Sequence, residues 1–368
     1  MKVVIVGGVA GGATAAARIR RLKEDAEIII LEKTGYISYA NCGLPYYIGD
    51  VIEESNNLIL QTPQSFKNRF CIDVRVNNEV ISVNSDKKYV VVKNVLTNET
   101  YQETYDKLIL SPGAKPLMPN ISGMDSNRIF TLKTVEDTFK MKKFIQDKNP
   151  KRVVIIGGGF IGMEMLENLL NLGLEVTLIE GSNQLLGQLD GDMASFVHVK
   201  LKNLGIRFFL NTVVSKFEDT GKGLNVFVDN QMILQTDIVL MTIGVVPETS
   251  FIKNTSITLG IKGSIVVNEK METSIEDIYA VGDAVEVNNF VTNERGLILL
   301  AGPANKQARI AADNICGLNS RYQGFQSSSI LKLFDWTIAS TGISEKQAKK
   351  LNINYEKVIL SPNSNASY

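Results

Sequence analysis

The 368 residues carry 39 lysines and arginines against 39 aspartates and glutamates, so the net charge is zero, and no segment interleaves basic residues with aromatics; this argues against a nucleic-acid partner. The three cysteines, Cys42, Cys71 and Cys316, are too few and too far apart for a disulfide framework, and with His198 the only histidine a His/Cys metal site is close to excluded. This length predicts two or three domains, and without a signal peptide or an apolar run able to span a bilayer the expectation is a soluble cytoplasmic protein with no membrane partner.

Val3 to Val6 reads as a fully buried parallel strand and Ala13 to Leu22 as a helix whose end is rich in Arg18, Arg20, Arg21 and Lys23. Between them runs Gly7-Gly8-Val9-Ala10-Gly11-Gly12, and the next strand, from Glu27, ends in Glu32. Strand, glycine turn, helix, strand and terminal acid form the context of a dinucleotide fingerprint: helix N–H groups meet the pyrophosphate and the acid meets a ribose hydroxyl. Val9 departs from the pattern by standing at the middle glycine position.

Next comes Ile37-Ser38-Tyr39-Ala40-Asn41-Cys42-Gly43-Leu44-Pro45-Tyr46-Tyr47. Pro45 suits the first turn of a helix starting just after Cys42, and a thiol near a helix N-terminus or a positive charge has a depressed pKa, which favours nucleophilic chemistry. A free cysteine is also commonly a small buried hydrophobe, and this stretch alone leaves both readings open.

Val74 to Val83, Tyr89 to Leu96 and Tyr105 to Leu110 read as strands, leading into Ser111-Pro112-Gly113-Ala114-Lys115-Pro116 as a rigid turn or linker. A second nucleotide unit follows: strand Arg152 to Ile156, then Gly157-Gly158-Gly159-Phe160-Ile161-Gly162-Met163-Glu164, a helix to Leu172, and a strand ending in Glu180. Two units imply two dinucleotides with a hydride passing between them, and Glu180 would repel a 2′-phosphate, which favours NADH. Beyond lie a second linker at Gly244-Val245-Val246-Pro247, an apolar strand ending in Gly282-Asp283, a helix opened by Leu299 to Asn305 and running to about Ile315, then strands and a short helix, Ser344 to Lys350.

Together these motifs resemble the pyridine nucleotide-disulfide oxidoreductases. The resemblance implies an α/β fold with two Rossmann-like dinucleotide-binding domains, for FAD and NADH, plus the beginning of a C-terminal α+β interface domain. The implied segments are 1–117 and 244–320 for FAD, 118–243 for NADH and 321–368 for the interface. By the same resemblance the cofactors would be held by Gly7, Ala10, Gly11, Gly12, Glu32, Lys33, Ser111, Gly113, Gly244, Gly282, Asp283 and Ala301 for FAD, and by Gly157, Gly159, Phe160, Ile161, Gly162, Glu164 and Glu180 for NADH.

The Cys42 stretch resembles the single-cysteine branch, which includes coenzyme A disulfide reductases, NADH oxidases and NADH peroxidases; the two-cysteine branch would need a cysteine five positions on, where Tyr47 stands. Cys42 would therefore cycle through a mixed disulfide with a small thiol or through a sulfenic acid. Ala10 occupies the site of the histidine typical of the peroxidases and oxidases, which points to a coenzyme A disulfide reductase. Thr14, Arg18, Arg21, Ser38 and Asn41 would then line the coenzyme A channel, although Arg18 and Arg21 also suit a solvated helix end, and Phe160 and Glu164 also suit helix packing. The alternatives are an NADH oxidase, a coenzyme A persulfide reductase, or a non-catalytic nucleotide-binding redox sensor. Asn363 to Tyr368 resembles the start of the segment that supplies a tyrosine to a partner's active site, with Asn365 where a histidine is common, and the full-length family is expected to be homodimeric.

Overall fold

The computed structural model describes residues 1–363, so Asn365 and Tyr368 lie outside the described residues. Among the described residues the α-helices are α1 (Ala10–Leu22), α2 (Leu44–Ile48), α3 (Pro63–Phe70), α4 (Val135–Lys148), α5 (Phe160–Asn171), α6 (Gly191–Asn203), α7 (Ala301–Ile315) and α8 (Glu345–Lys350).

Two five-stranded parallel sheets carry the architecture. The first runs Ile278–Ala280, Lys107–Leu110, Lys2–Val6, Glu27–Leu31, Asp73–Arg75, drawing its strands from residues far apart in the chain. The second runs Arg207–Phe209, Glu175–Ile179, Arg152–Ile156, Ile238–Met241, Ile129–Phe130. The central strands are continuous apolar runs because both faces of a parallel sheet are covered. Val3, Val4 and Ile5 are accordingly wholly buried, as are Val153, Val154 and Ile155.

Several elements differ from the sequence reading. Helix α1 begins at Ala10 rather than Ala13, since the Ala13 N–H already bonds the Val9 carbonyl at 3.0 Å, which carries the helix N-terminus into the glycine loop. The single strand expected over 74–83 is two: Asp73–Arg75 joins the first parallel sheet, Asn77 turns the chain with a φ of 58°, and Asn78–Asn84 opens a separate antiparallel sheet with Tyr89–Asn94 and Thr100–Thr104. The two linkers pair with each other: Ala114–Pro116 and Val245–Pro247 form an antiparallel ribbon flanked by Leu117 N–H to Gly244 O and Glu248 N–H to Gly113 O. Pairing satisfies backbone groups that a bare linker would leave to water.

The segment bearing Cys42 leaves the first sheet and packs on the second unit. Tyr39, Leu44, Ile48 and Leu58 share one apolar cluster with Val153, Ile155, Met163 and Leu166, so α2 rests on α4 and α5. The hairpin Ser329–Leu333/Trp336–Ser340 joins the same cluster through Leu331 and Leu333. It is clamped by the buried Glu167 of α5, which accepts from Lys332 Nζ and from the Phe334 N–H, both at 2.7 Å.

Candidate active site

The two glycine turns are built alike. Gly7 has φ 94° and a Cβ there would lie 2.1 Å from the Ser111 carbonyl oxygen; Gly157 has φ 108° and a Cβ there would lie 2.5 Å from the Thr242 carbonyl oxygen. Only glycine fits such positions. Where each helix crosses its strand, a Cβ on Gly12 would approach the Gly7 oxygen to 1.8 Å, and one on Gly162 the Gly157 oxygen to 2.1 Å. The terminal acids close both turns. Glu32 accepts from the Gly8 N–H and the Thr34 N–H, each at 2.8 Å, and Glu180 accepts from the Gly158 N–H at 2.7 Å and the Ser182 N–H at 2.8 Å. A carboxylate has about four acceptor positions, so each keeps capacity for a ribose hydroxyl. Burial pushes the Glu32 carboxyl up, against the opposing pull of these hydrogen bonds.

One glycine of the second turn and one of each linker also leave their surface open. A Cβ on Gly159, Gly113 or Gly244 would meet nothing within 4 Å. Gly11 and Gly282 both approach the Ser111 hydroxyl, so the first turn, the first linker and the Gly282-Asp283 corner converge. Lys33 pairs with Glu248 at 3.4 Å beside a cavity of about 240 Å³ lined by Gly7, Glu32, Pro112 and Phe251. Ala301 opens α7 with no side-chain cap. Asp283 is held by Lys133 at 3.1 Å, a contact that nothing in the local sequence announces. These cradles fit two dinucleotides.

Cys42 is exposed in a turn, Asn41–Gly43, that runs directly into α2, with Pro45 in the first turn as expected. The expected depression of its thiol pKa is corrected: although the residue is exposed, partial desolvation by the protein around it pushes the thiol up, Glu164 adds to this, and Lys133 pulls the other way. Glu164, one turn into α5, is itself pushed up to about 7, by burial and then by Glu167. Phe160 and Ile161 open α5 half-buried against the second core. Tyr47, where a second cysteine would stand, packs edge-on to Phe139 and lies under Lys142 Nζ at 3.8 Å.

A cavity of about 440 Å³ brings together Thr14, Arg18, Arg21 and Ser38, but not Asn41, which stays exposed beside Cys42. Arg18 is not a solvated helix end, since its Nε donates to Asp313 of α7 at 2.7 Å, and Thr14 is tied to Asn305 of α7 at 2.8 Å. The sequence reading missed Gln61, Arg69, Phe70 and Arg309 on the same wall. The Phe70 ring is flanked by the guanidinium groups of Arg69 at 5.1 Å and Arg21 at 5.8 Å. Among the described residues Arg21, Arg69 and Arg309 make no ion pair, and no group of His, Cys, Asp and Glu could hold a metal. A readable signal for α3 existed in Thr62-Pro63-Gln64-Ser65, a capping box with proline in the first turn.

The family described as pyridine nucleotide-disulphide oxidoreductase matches residues 1–308. The chain is 38% identical over all 368 residues to coenzyme A disulfide reductase of Staphylococcus haemolyticus, covering 82% of that protein. The reduced CoADR-RHD of Bacillus anthracis is similar with a TM-score of 0.93 and 49% identity over 96% of this chain, which spans 64% of that one, under two thirds of its length. The water-forming NADH oxidase of Lactobacillus brevis, solved bound to NADH, has a TM-score of 0.94 and 30% identity, covering 100% of this chain and 81% of that one. Among the described residues no helix is long and apolar enough to cross a membrane.

Proposed function

Because the chain belongs to the pyridine nucleotide-disulphide oxidoreductases, we propose that it is a flavoprotein reductase in which electrons from NADH reach Cys42 through FAD and reduce a small disulfide, coenzyme A disulfide before others. The first glycine turn with Glu32, Ser111, the Gly282-Asp283 corner and Ala301 would hold FAD, and the second turn with Glu180 would hold NADH. Residues 1–117 and 244–320 then form the flavin unit, 118–243 the nicotinamide unit and 321–368 part of an interface unit. When bound, the two cofactors supply a hydride and then an electron pair.

The chain's own part centres on Cys42. Its thiolate attacks one sulfur of the disulfide, the Cys42–sulfur bond forms as the substrate S–S bond breaks, and one thiolate departs. Two electrons and one further proton free the second thiol and restore Cys42. With Tyr47 in place of a second cysteine, the bond partner must be the substrate. Glu180, already bonded to Gly158 and Ser182, offers a ribose an acceptor and a 2′-phosphate only repulsion.

The observation that carries the choice of substrate is the cavity that Ser38, four residues before Cys42, shares with Arg18, Arg21, Arg69, Arg309 and Phe70. Arginine forks match phosphate oxygens and an aromatic ring flanked by them suits a purine, so a phosphorylated adenosine is the fitting occupant. The second reading, an NADH oxidase, draws on the resemblance to the Lactobacillus brevis enzyme. Ala10 weighs against it, because a peroxide-cleaving acid is missing from the first glycine loop.

The test is Cys42→Ser. The variant is expected to bind FAD, to accept electrons from NADH, and to lose coenzyme A disulfide turnover, since a serine hydroxyl is not appreciably ionised. A parent protein without disulfide turnover that consumes oxygen briskly, and still does so as Cys42→Ser, would replace this reading with the oxidase.

A further inference from the structure

The loop that follows Glu180, residues 181–189, folds back over the second glycine turn. The Leu186 N–H donates to the Gly158 carbonyl at 2.8 Å, and the Leu185 side chain lies so near that a Cβ on Gly158 would meet its Cδ2 at 2.4 Å. The N–H of that same Gly158 donates to Glu180, which also accepts from Ser182 at the start of the loop. Leu186 sits there with φ 49°, a left-handed conformation that a leucine keeps only where its surroundings fix it. One such restraint comes from outside the loop: the Leu185 N–H donates to Nε2 of His198 in α6 at 3.1 Å.

An imidazole accepts at Nε2 only while that nitrogen carries no proton. Burial pushes the His198 ring below its ordinary value and Lys202, one turn on in α6, adds to this, so the ring is neutral at pH 7. It packs on Phe208 of the strand Arg207–Phe209, with ring centroids 5.5 Å apart. The other charges on the elements around it are engaged elsewhere. Arg207 pairs with Glu175, Asp192 with Lys357 and Lys200 with Asp335. The loop has no charged side chain between Glu180 and Asp190, and Asp190 accepts from the N–H groups of Glu345 and Lys346.

We propose that His198 is a positioning residue of the NADH site: its unprotonated Nε2 holds the loop against the glycine turn, and protonating it frees the Leu185 N–H and loosens NADH while FAD stays bound. A donor that loses its acceptor weakens whatever equilibrium needs the loop closed, by about tenfold. The coupling is reciprocal, so a bound nicotinamide dinucleotide makes the ring harder to protonate. The inference rests on the reading that the second turn holds NADH, but not on Cys42 or on which disulfide is reduced.

The probe is NAD+, which shares its adenosine and pyrophosphate with NADH and leaves the flavin oxidised. Calorimetric titration of the FAD-loaded protein, at about pH 7.5 and about pH 5.5 on either side of the ordinary histidine range, compares the parent with two variants. His198→Gln carries an amide oxygen that accepts at both values, and His198→Phe keeps a ring on Phe208 but accepts nothing. At the higher pH His198→Phe is expected to bind NAD+ about tenfold more weakly than the parent, and His198→Gln within about twofold of it. Glu164 titrates in the same window, so the acid arm is read as a difference between proteins that share it: on acidification the parent should lose at least about threefold more affinity than His198→Gln. A ring needed only for packing would give the reverse order, with His198→Phe like the parent and His198→Gln impaired, and that order overturns the proposal. An equal acid loss in the parent and His198→Gln overturns it too, as does loss of FAD together with NAD+ in His198→Phe. If the variants do not fold, the parent decides, because His198 is the only histidine and its ring resonance titrates alone by NMR. Saturating NAD+ is expected to lower that midpoint by about one pH unit, and equal midpoints overturn the proposal. Gly162→Ala separates the two failures. If it binds NAD+ as the parent does, the assignment of the second turn falls and this inference with it; if it loses NAD+ while His198→Phe matches the parent, the inference alone falls.

Discussion

The Gly158 N–H donates to the Glu180 carboxylate at 2.7 Å, and the same bond recurs between Gly8 and Glu32 at 2.8 Å in the other unit. Each acid is therefore part of the turn it serves: it braces the glycine loop from behind while keeping acceptor capacity toward a ribose. Substituting either acid disturbs the loop and the ligand together.

NADH should be preferred to NADPH by at least about tenfold in kcat/KM, because a 2′-phosphate beside Glu180 costs on the order of 1.4 kcal/mol or more. Glu180→Gln should keep the Gly158 and Ser182 bonds only in part, so KM for NADH rises while the discrimination narrows. Steady-state kinetics with both cofactors measure it, and equal use of the two by the parent would remove Glu180 from this role.

Gly162→Ala should impair NADH use and leave FAD bound. The added Cβ would sit 2.1 Å from the Gly157 oxygen, which forces α5 away from its strand in the second unit only. Flavin absorbance and a titration with NADH separate the two effects; loss of both cofactors together would show that the units are not independent.

Arg309→Ala and Arg69→Ala should each raise KM for coenzyme A disulfide by about tenfold, the loss of one charge-assisted contact to phosphate, without affecting a small uncharged disulfide. Arg18→Ala should differ in kind. Its bond to Asp313 joins α1 to α7, so a lower melting temperature accompanies any change in KM. Identical KM values for Arg309→Ala and the parent would move the substrate away from this cavity.

Glu164 sets a pH dependence of stability. Its carboxyl is pushed up to about 7, chiefly by burial, from an ordinary value of 4.5. The unfolded chain therefore loses this proton first as pH rises. Between about 4.5 and 7 the folded state binds more protons, and the contribution of this group to stability falls with rising pH and is constant above. Glu164→Gln should then raise the melting temperature at pH 8 and change it little at pH 4.5, as calorimetry at the two values would read. A gain confined to the acid side would contradict the assignment.

Much of this molecule was legible in the chain because its chemistry is local. Strand, glycine turn, helix and terminal acid are contiguous, so Gly7 to Gly12 with Glu32, and Gly157 to Gly162 with Glu180, declare their geometry through hydrophobic periodicity and through glycines that a positive φ or a close backbone approach requires. Cys42 and Pro45 were likewise readable as a turn into a helix. What the chain order could not contain was decided by folding. The wall of the arginine cavity gathers α1, α3 and α7, with Arg18 turned to Asp313, and Arg69 joining a site built around Thr14. The two linkers, more than 120 positions apart in the chain, are a single antiparallel ribbon. The thiol's electrostatics depend on Glu164 and Lys133, more than 90 positions away in sequence, and burial, which sets their strength, is a property of the packed interior alone.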